Sequence, residues 1–499
     1  MRGPPRGSGP HPPAMPPHPW TRYLRRALAA AAAAACAAAL PAVAGVTMTD
    51  PDGNPIRWDL DIEQANVVQG EVTWFLDPRG VTEEPLGDVT EQDALYAAFA
   101  AWESLPGGQI RFQEETDRRA TERNAKDRVN FISWRKFVLG PFTLAATFSA
   151  SENGVLTDAD VVMNDQERFV HWATTTPGTG GHADVQAVLT HEVGHLCGLD
   201  HSPVAGATMS YYIRVGSISG RTLEGDDASS YLDAYPPGLD TEHGSIVGTL
   251  RVGRRRTARG IPVFALDPAT LEPAGCSFTD DTGLFRITGL APGPYLVAAA
   301  PLADTGPYST WWSASPARLE AAFLGAADPE AEDGVPAEVI VRAGVPVVAG
   351  EASLRKARRR GRRDPDGDPE HARGILLGAG AGGAFERALD EDWFRFHVDG
   401  TGPLEIRVIA WGIGSAADAD LAVFDGAGEE VLAASFDQRP ALDVANANGD
   451  AGVDPDPLLT SFDPPAPGDY LVRVRAQPQS GYGSPGAFYL LRIRPLGPP

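Results

Sequence analysis

Residues 191–201 read HEVGHLCGLDH, and no other stretch limits so narrowly what this chain can build. His191 and His195 stand four positions apart, so on a helix they project from one face a turn apart, within reach of a single ion, with Glu192 beside that ion's open position. Gly198 lets the backbone leave the helix and swing back, which carries His201 to the same ion. Three neutral imidazoles suit zinc and leave a fourth position for water, whereas a structural zinc would be closed by a fourth protein ligand, usually cysteine. A metal held this way acidifies water, and Glu192 is placed to take the proton.

The full pattern HExxHxxGxxH is the metzincin signature, and the chain resembles that group of zinc metalloproteases. Met209, in ATMSYY, falls where a methionine turn is expected, and Ser202 follows the third histidine as in matrixins, the matrix-metalloprotease branch. Residues 98–114, AFAAWESLPGGQIRFQE, resemble the matrixin helix that ends in tryptophan and is followed by a strand. Residues 223–235, LEGDDASSYLDAY, resemble its C-terminal helix with paired aspartates. The resemblance covers residues 70–236. It implies an α+β catalytic domain carrying one catalytic zinc on His191, His195 and His201, a secreted endopeptidase in which Glu192 activates the zinc-bound water, and protein or peptide substrates. Met209 would lie beneath the imidazoles without bonding the metal. Tyr211 matches the tyrosine that in astacins and serralysins stabilises the tetrahedral intermediate, although the short spacing from His201 to Met209 is matrixin-like and would leave Tyr211 lining the cleft.

Two departures from matrixins stand out. Too few residues separate Gly45 from the first expected strand, near Val72, to build a folded prodomain, and no mature cysteine precedes the catalytic domain, so a cysteine switch is excluded. Residues 151–166, SENGVLTDADVVMNDQ, occupy the place of the family's calcium and second-zinc loops without a histidine. Asn153, Asp158, Asp160 and Asp165 offer hard oxygen ligands to calcium, and a turn followed by an edge strand would use the same residues.

Residues 22–44 read as an export signal, with Arg25 and Arg26 before an alanine-rich apolar run and Ala42-Val43-Ala44 as the cleavage site. This predicts a secreted or periplasmic protein. Cleavage leaves only Cys197 and Cys276, so no disulfide framework is available, each domain needs its own core, and Cys197, turned away from the metal face, is expected to be a buried thiol. A net charge of −24 argues against nucleic acid as a partner, and no later apolar run reaches the length of an integral membrane segment. The 55 glycines and 44 prolines, with few long helical periods, point to β-structure joined by turns.

Beyond Tyr235 the texture changes to short alternating strands. Residues 261–300 resemble the carboxypeptidase regulatory-like module, a small β-sandwich, on the turn Asp280-Asp281-Thr282-Gly283 before Phe285 and on Gly289-Leu290-Ala291-Pro292-Gly293 before Tyr295. The basic run RKARRRGRR, residues 355–363, reads as a solvated linker open to trypsin-like proteases, whose cleavage would leave residues 45–354 active. Residues 373–495 resemble the bacterial pre-peptidase C-terminal domain, a jelly-roll-like β-sandwich, on Asp392-Trp393-Phe394-Arg395-Phe396, on Asp418 and Asp420, and on Gly468-Asp469-Tyr470. The predicted architecture is thus multidomain: signal 1–44, an α+β metzincin domain 45–240, two all-β sandwiches at 241–354 and 373–497, and a linker 355–372 between them. The sandwiches would bind cell surfaces or substrate. The competing reading is a non-catalytic adhesion or matrix-binding protein with a relic metzincin domain, and the two part at Glu192, which a relic is free to lose.

Overall fold

The computed structural model describes residues 46–497 apart from 51–53, 88, 117–125, 177, 211, 212, 214, 238–241, 254, 255, 258, 303–318, 325–335, 357–365, 386–388, 416, 418, 436–455 and 477–486. The export segment, Tyr211 and most of the basic run therefore lie outside the described residues.

The N-terminal part is built on a six-stranded sheet of β1 (Val67–Val68), β2 (Glu71–Leu76), β3 (Phe112–Glu114), β4 (Phe131–Arg135), β5 (Ala145–Glu152) and β6 (Val155–Asn164). Its order is β1-β2-β4-β6-β5 with β3 also on β2, and β5, antiparallel to β6, is an edge strand. The short strands β7 (Trp172–Ala173) and β8 (Ala183–Asp184) pair with each other. Among the described residues three α-helices complete this part: α1 (Glu91–Glu103), α2 (Val185–Leu196) and α3 (Gly225–Ala234). Thr90 starts α1 with a capping box closed by Asp93, and Ala94, Leu95, Ala98, Phe99 and Trp102 recur on one face and are buried. The Trp102 indole donates to the Thr190 carbonyl at 2.8 Å, which fastens α1 to α2. Helix, terminal tryptophan and following strand stand where the sequence predicted them.

Residues 46–49, read from sequence only as a tail too short to be a prodomain, are part of this fold. The Met48 N–H donates to the Gly198 carbonyl at 2.8 Å and the Asp200 N–H to the Val46 carbonyl at 3.0 Å, so the N-terminal segment runs beside the chain just before His201.

The middle of the chain forms a β-sandwich of β9 (Gly244–Val252), β10 (Arg256–Thr257), β11 (Pro262–Leu266), β12 (Pro273–Phe278), β13 (Leu284–Leu290), β14 (Gly293–Ala299), β15 (Ala322–Leu324), β16 (Val339–Val341) and β17 (Pro346–Leu354). One sheet holds β10-β9-β13 with β17, the other β12-β11-β14-β15 with β16. The C-terminal part pairs a sheet of β18 (Arg373–Gly374), β20 (Glu391–Val398), β25 (Gly468–Ala476), β22 (Ala419–Phe424) and β23 (Val431–Ser435) with one of β19 (Gly380–Ala384), β26 (Phe488–Pro495), β21 (Leu404–Ile409) and β24 (Leu458–Phe462). Alternation in WFRFHV and YLVRVRA buries Phe394, Phe396, Val398, Tyr470, Val472 and Val474 in one cluster, as period-two patterning requires, while Trp393 and Leu471 are buried on the opposite face.

Separate apolar clusters fill the N-terminal part and the interior of each sandwich. A further cluster departs from the expectation that every domain is self-contained: it joins Val46, Val204 and Ala207 to Phe264 and Phe278 of the middle sandwich and to Ile409, Ile413 and Phe488 of the C-terminal one. Sequence periodicity assigns a residue to a face but not to the partner that covers it. Cys197 and Cys276 are both free and buried.

Candidate metal centre

Helix α2 begins at Asp184, whose carboxylate accepts the Ala187 N–H at 2.8 Å, and it is buried over most of its length. Its end is set by Gly198, at φ 87°. The Gly198 N–H bonds the His195 carbonyl at 2.9 Å and the Leu199 N–H bonds the Gly194 carbonyl at 3.0 Å, a Schellman stop that turns the chain back. A Cβ at position 198 would lie 2.5 Å from the Ile56 carbonyl oxygen, so both the dihedral and the space require glycine.

The reversal delivers His201 to the helix. The metal-binding atoms of His191, His195 and His201 lie within 4.8 Å of one another, and among the described residues they are the one such group of three or more His, Cys, Asp or Glu donors. The His195 and His201 Nε2 atoms are 3.2 Å apart. His191 Nδ1 is 2.7 Å from the Thr208 carbonyl oxygen and His195 Nδ1 is 2.8 Å from that of Leu199. A carbonyl oxygen only accepts, so both Nδ1 atoms carry the proton and both Nε2 atoms keep a lone pair. Burial, with His201 nearby, pushes His191 down to about 3 and His195 well below the usual imidazole range, so both stay neutral at pH 7. Neutral imidazoles with inward lone pairs fit a zinc ion.

Glu192 is buried, at 3% exposure. Burial pushes its carboxyl up to about 7, opposed by the Thr147 hydroxyl, which donates to Glu192 Oε2 at 2.6 Å. Thr147 comes from the edge strand β5, 45 positions away in sequence, and nothing local to the motif could have revealed it. Met209 is also buried, with its sulfur against Gly194 of α2. The paired aspartates of α3 hold the turn that carries it: Asp227 accepts the N–H groups of Thr208 at 2.8 Å and Met209 at 2.9 Å, and Asp226 accepts the Ser202 hydroxyl.

The oxygen-rich segment supplies hydrogen-bond acceptors to chain distant in sequence. Asp158 accepts the Arg128 N–H at 2.6 Å, Asp160 the Phe131 N–H at 3.0 Å, and Asp165 the Thr82 hydroxyl at 2.5 Å, while Asn153 sits in the β5–β6 turn at φ 54°. The three carboxylates thus brace residues 82, 128 and 131 against this hairpin.

Sequence reading also missed Arg221. Its guanidinium donates to both Asp184 oxygens, at 2.9 and 2.5 Å, to the Thr175 carbonyl at 2.8 Å and to the Thr176 hydroxyl at 2.7 Å, so it anchors the residue that starts α2. Arg221→Met keeps the apolar stem but leaves buried Asp184 without its cationic partner, with only the Ala187 N–H still donating to it among the bonds described. The expected loss is about 2 kcal/mol, read as a lower urea midpoint; an unchanged midpoint would show that the fork contributes nothing.

Residues 67–236 match the family model described as Matrixin, and residues 390–476 match that of the bacterial pre-peptidase C-terminal domain. No curated protein matches the chain. Similar solved structures include the pre-peptidase C-terminal domain of collagenase from Bacillus anthracis, at 17% identity over 24% of this chain and 93% of that one, TM-score 0.17. They also include PliG of Salmonella Typhimurium, a periplasmic inhibitor of g-type lysozyme, at 15% identity over 25% of this chain and 98% of that one, TM-score 0.15. The Bacillus anthracis TIE protein is similar at 12% identity over 45% of this chain and 28% of that one, TM-score 0.15.

Proposed function

We propose that this chain, whose residues 67–236 match a zinc-dependent metallopeptidase family, is an exported endopeptidase that cuts peptide bonds with His191, His195 and His201 as zinc ligands and Glu192 as general base. The observation that carries this reading is the buried Glu192 carboxyl next to three converging imidazoles, with one of its oxygens held by Thr147. A zinc ion supplies a Lewis acid there, lowering the pKa of water and polarising a carbonyl oxygen. Glu192 takes the proton of the attacking water through Oε1 while Thr147 keeps Oε2 engaged, and the same carboxyl passes that proton to the leaving amine. The neutral Nδ1–H groups of His191 and His195, bonded to the Thr208 and Leu199 carbonyls, keep the two rings oriented.

Substrate is proposed to add to β5. Among the described residues that strand pairs only with β6, so its other edge can receive an extended peptide, and Thr147 on it reaches Glu192. Tyr211 lies outside the described residues and has no part in this scheme. Among the described residues no helix is long and apolar enough to cross a membrane, and the pre-peptidase C-terminal match supports export. What favours this reading over the relic alternative is that the sequence keeps Glu192 together with His191, His195 and His201. Digestion of a peptide library with and without a chelator tests the reading: cleavage should vanish with the chelator and return with zinc, and a zinc-loaded chain that cuts nothing would end it.

Thr147→Val keeps the shape of the side chain but removes the hydroxyl that fixes the base. The turnover number should fall by about ten- to a hundredfold with zinc content unchanged, and Thr147→Ser should restore most of it. Equal turnover in the valine and serine variants would remove Thr147 from the mechanism.

A further inference from the structure

The stretch between His201 and Met209 is held from two sides. On one side, α3 supplies Asp226 to the Ser202 hydroxyl and Asp227 to the Thr208 and Met209 N–H groups. On the other side, Val204 and Ala207 are buried at 4% and 6% exposure in the apolar cluster shared with Phe264, Phe278, Ile409, Ile413 and Phe488. The two sandwiches therefore complete a core that the N-terminal part begins.

The short helical turn Trp411–Ile413 of the C-terminal sandwich meets this stretch. The Asp456 carboxylate holds that turn by accepting the N–H groups of Ala410 at 2.8 Å, Trp411 at 2.9 Å and Gly412 at 3.2 Å. Gly414 ends it at φ 78°, against the backbone of Pro203, where any added Cβ would collide with the Pro203 carbonyl oxygen. The Trp411 ring faces Gly206, 3.6 Å from where a Cβ on that residue would stand. A rigid turn of one sandwich thus presses on residues 203–206, two to five positions after His201.

We infer that the C-terminal β-sandwich is a working part of the metal centre: its turn at residues 411–414 clamps the loop at residues 203–206 and so positions His201 and Met209. The clamp acts through the loop, so Trp411 and Gly414 are positioning residues. This rests on the proposed peptidase reading only for its effect on turnover, because the clamp itself has a readout that needs neither metal nor substrate. The N–H groups of Ser202, Val204, Ala207, Thr208, Met209 and Ser210 are all hydrogen-bonded, so loosening the loop exposes them to exchange with solvent. The same physics argues that cutting the basic linker would not leave a fully active residue 45–354 fragment, since removing the C-terminal sandwich uncovers Val204 and Ala207.

The test compares three full-length variants. Gly414→Ala drives a methyl into Pro203. Trp411→Ala withdraws the ring from Gly206 without a clash. Gly378→Ala is the matched control, because Gly378 is in the same sandwich, has φ 81°, and has nothing within 4 Å of an added Cβ. In metal-free protein, hydrogen exchange at residues 202–210 should quicken by on the order of tenfold in the first two variants relative to the control, and in zinc-loaded protein their turnover should fall by a similar factor. If Gly414→Ala does not fold, the comparison of Trp411→Ala with Gly378→Ala decides alone. Exchange in the loop identical to the control overturns the inference. A failure of the peptidase reading shows up separately, as a wild-type chain that binds zinc and cuts no peptide.

Discussion

Glu192→Gln is expected to lower peptide cleavage by about a hundred- to ten-thousandfold while zinc content and melting temperature stay near those of the wild type. Glutamine has the shape of glutamate and its carbonyl oxygen can still accept from the Thr147 hydroxyl, so the site keeps its packing. What it loses is the capacity to take a proton, and the rings of His191 and His195, whose Nδ1 partners are backbone carbonyls, are untouched by the change. The measurement is turnover on a quenched peptide alongside metal analysis. Turnover within a few-fold of wild type would mean that another group activates the water. Loss of zinc together with activity would mean that Glu192 helps hold the metal, and the role assigned to it would have to change.

How much of this was legible in advance depends on distance along the chain. The arrangement of His191, Glu192 and His195 follows from helical periodicity, and Gly198 can be read as a helix stop because the residue type and the turn it permits are both local. The helix at Trp102 and the helix carrying Asp226 and Asp227 were legible through their resemblance to matrixin helices. Thr147 was not, because its meeting with Glu192 depends on a strand packed against the helix from 45 residues away. Nor was the use of residues 46–49, which join the fold through backbone bonds that any side chains would allow. Asp158, Asp160 and Asp165 were legible as oxygen acceptors, but not their partners, since the N–H groups of Arg128 and Phe131 and the Thr82 hydroxyl come from 29 or more residues away. Composition also suggested independent domains, while the burial of Val204 and Ala207 beside Phe264 and Ile413 arises only when three distant segments meet. Cys276 belongs to the same junction: it was expected only as one of two remaining thiols, yet its side chain reaches buried Asp226 of α3.

Gly194→Ala should be among the most destabilising single changes in the N-terminal part, although helix propensity alone says the opposite. Alanine inside a helix is worth about 1 kcal/mol over glycine. At this position, however, the new methyl would collide with the Met209 sulfur and stand 2.7 Å from Cζ2 of Trp102. Neither neighbour has room to give: Trp102 is fully buried with its indole bonded to the Thr190 carbonyl at 2.8 Å, and Met209 is 1% exposed with its N–H held by Asp227. Overpacking from two sides outweighs the propensity gain, and the expected net loss is about 3 kcal/mol. Because Gly194 lies between His191 and His195 with Met209 beneath, the variant should also release zinc faster. The double variant Gly194→Ala with Met209→Ala separates the two causes, since truncating the methionine opens the space the methyl needs. Its loss should be smaller than the sum of the single losses by about 1 kcal/mol or more. Strict additivity would show that the glycine is required for something other than the approach of the methionine to the helix.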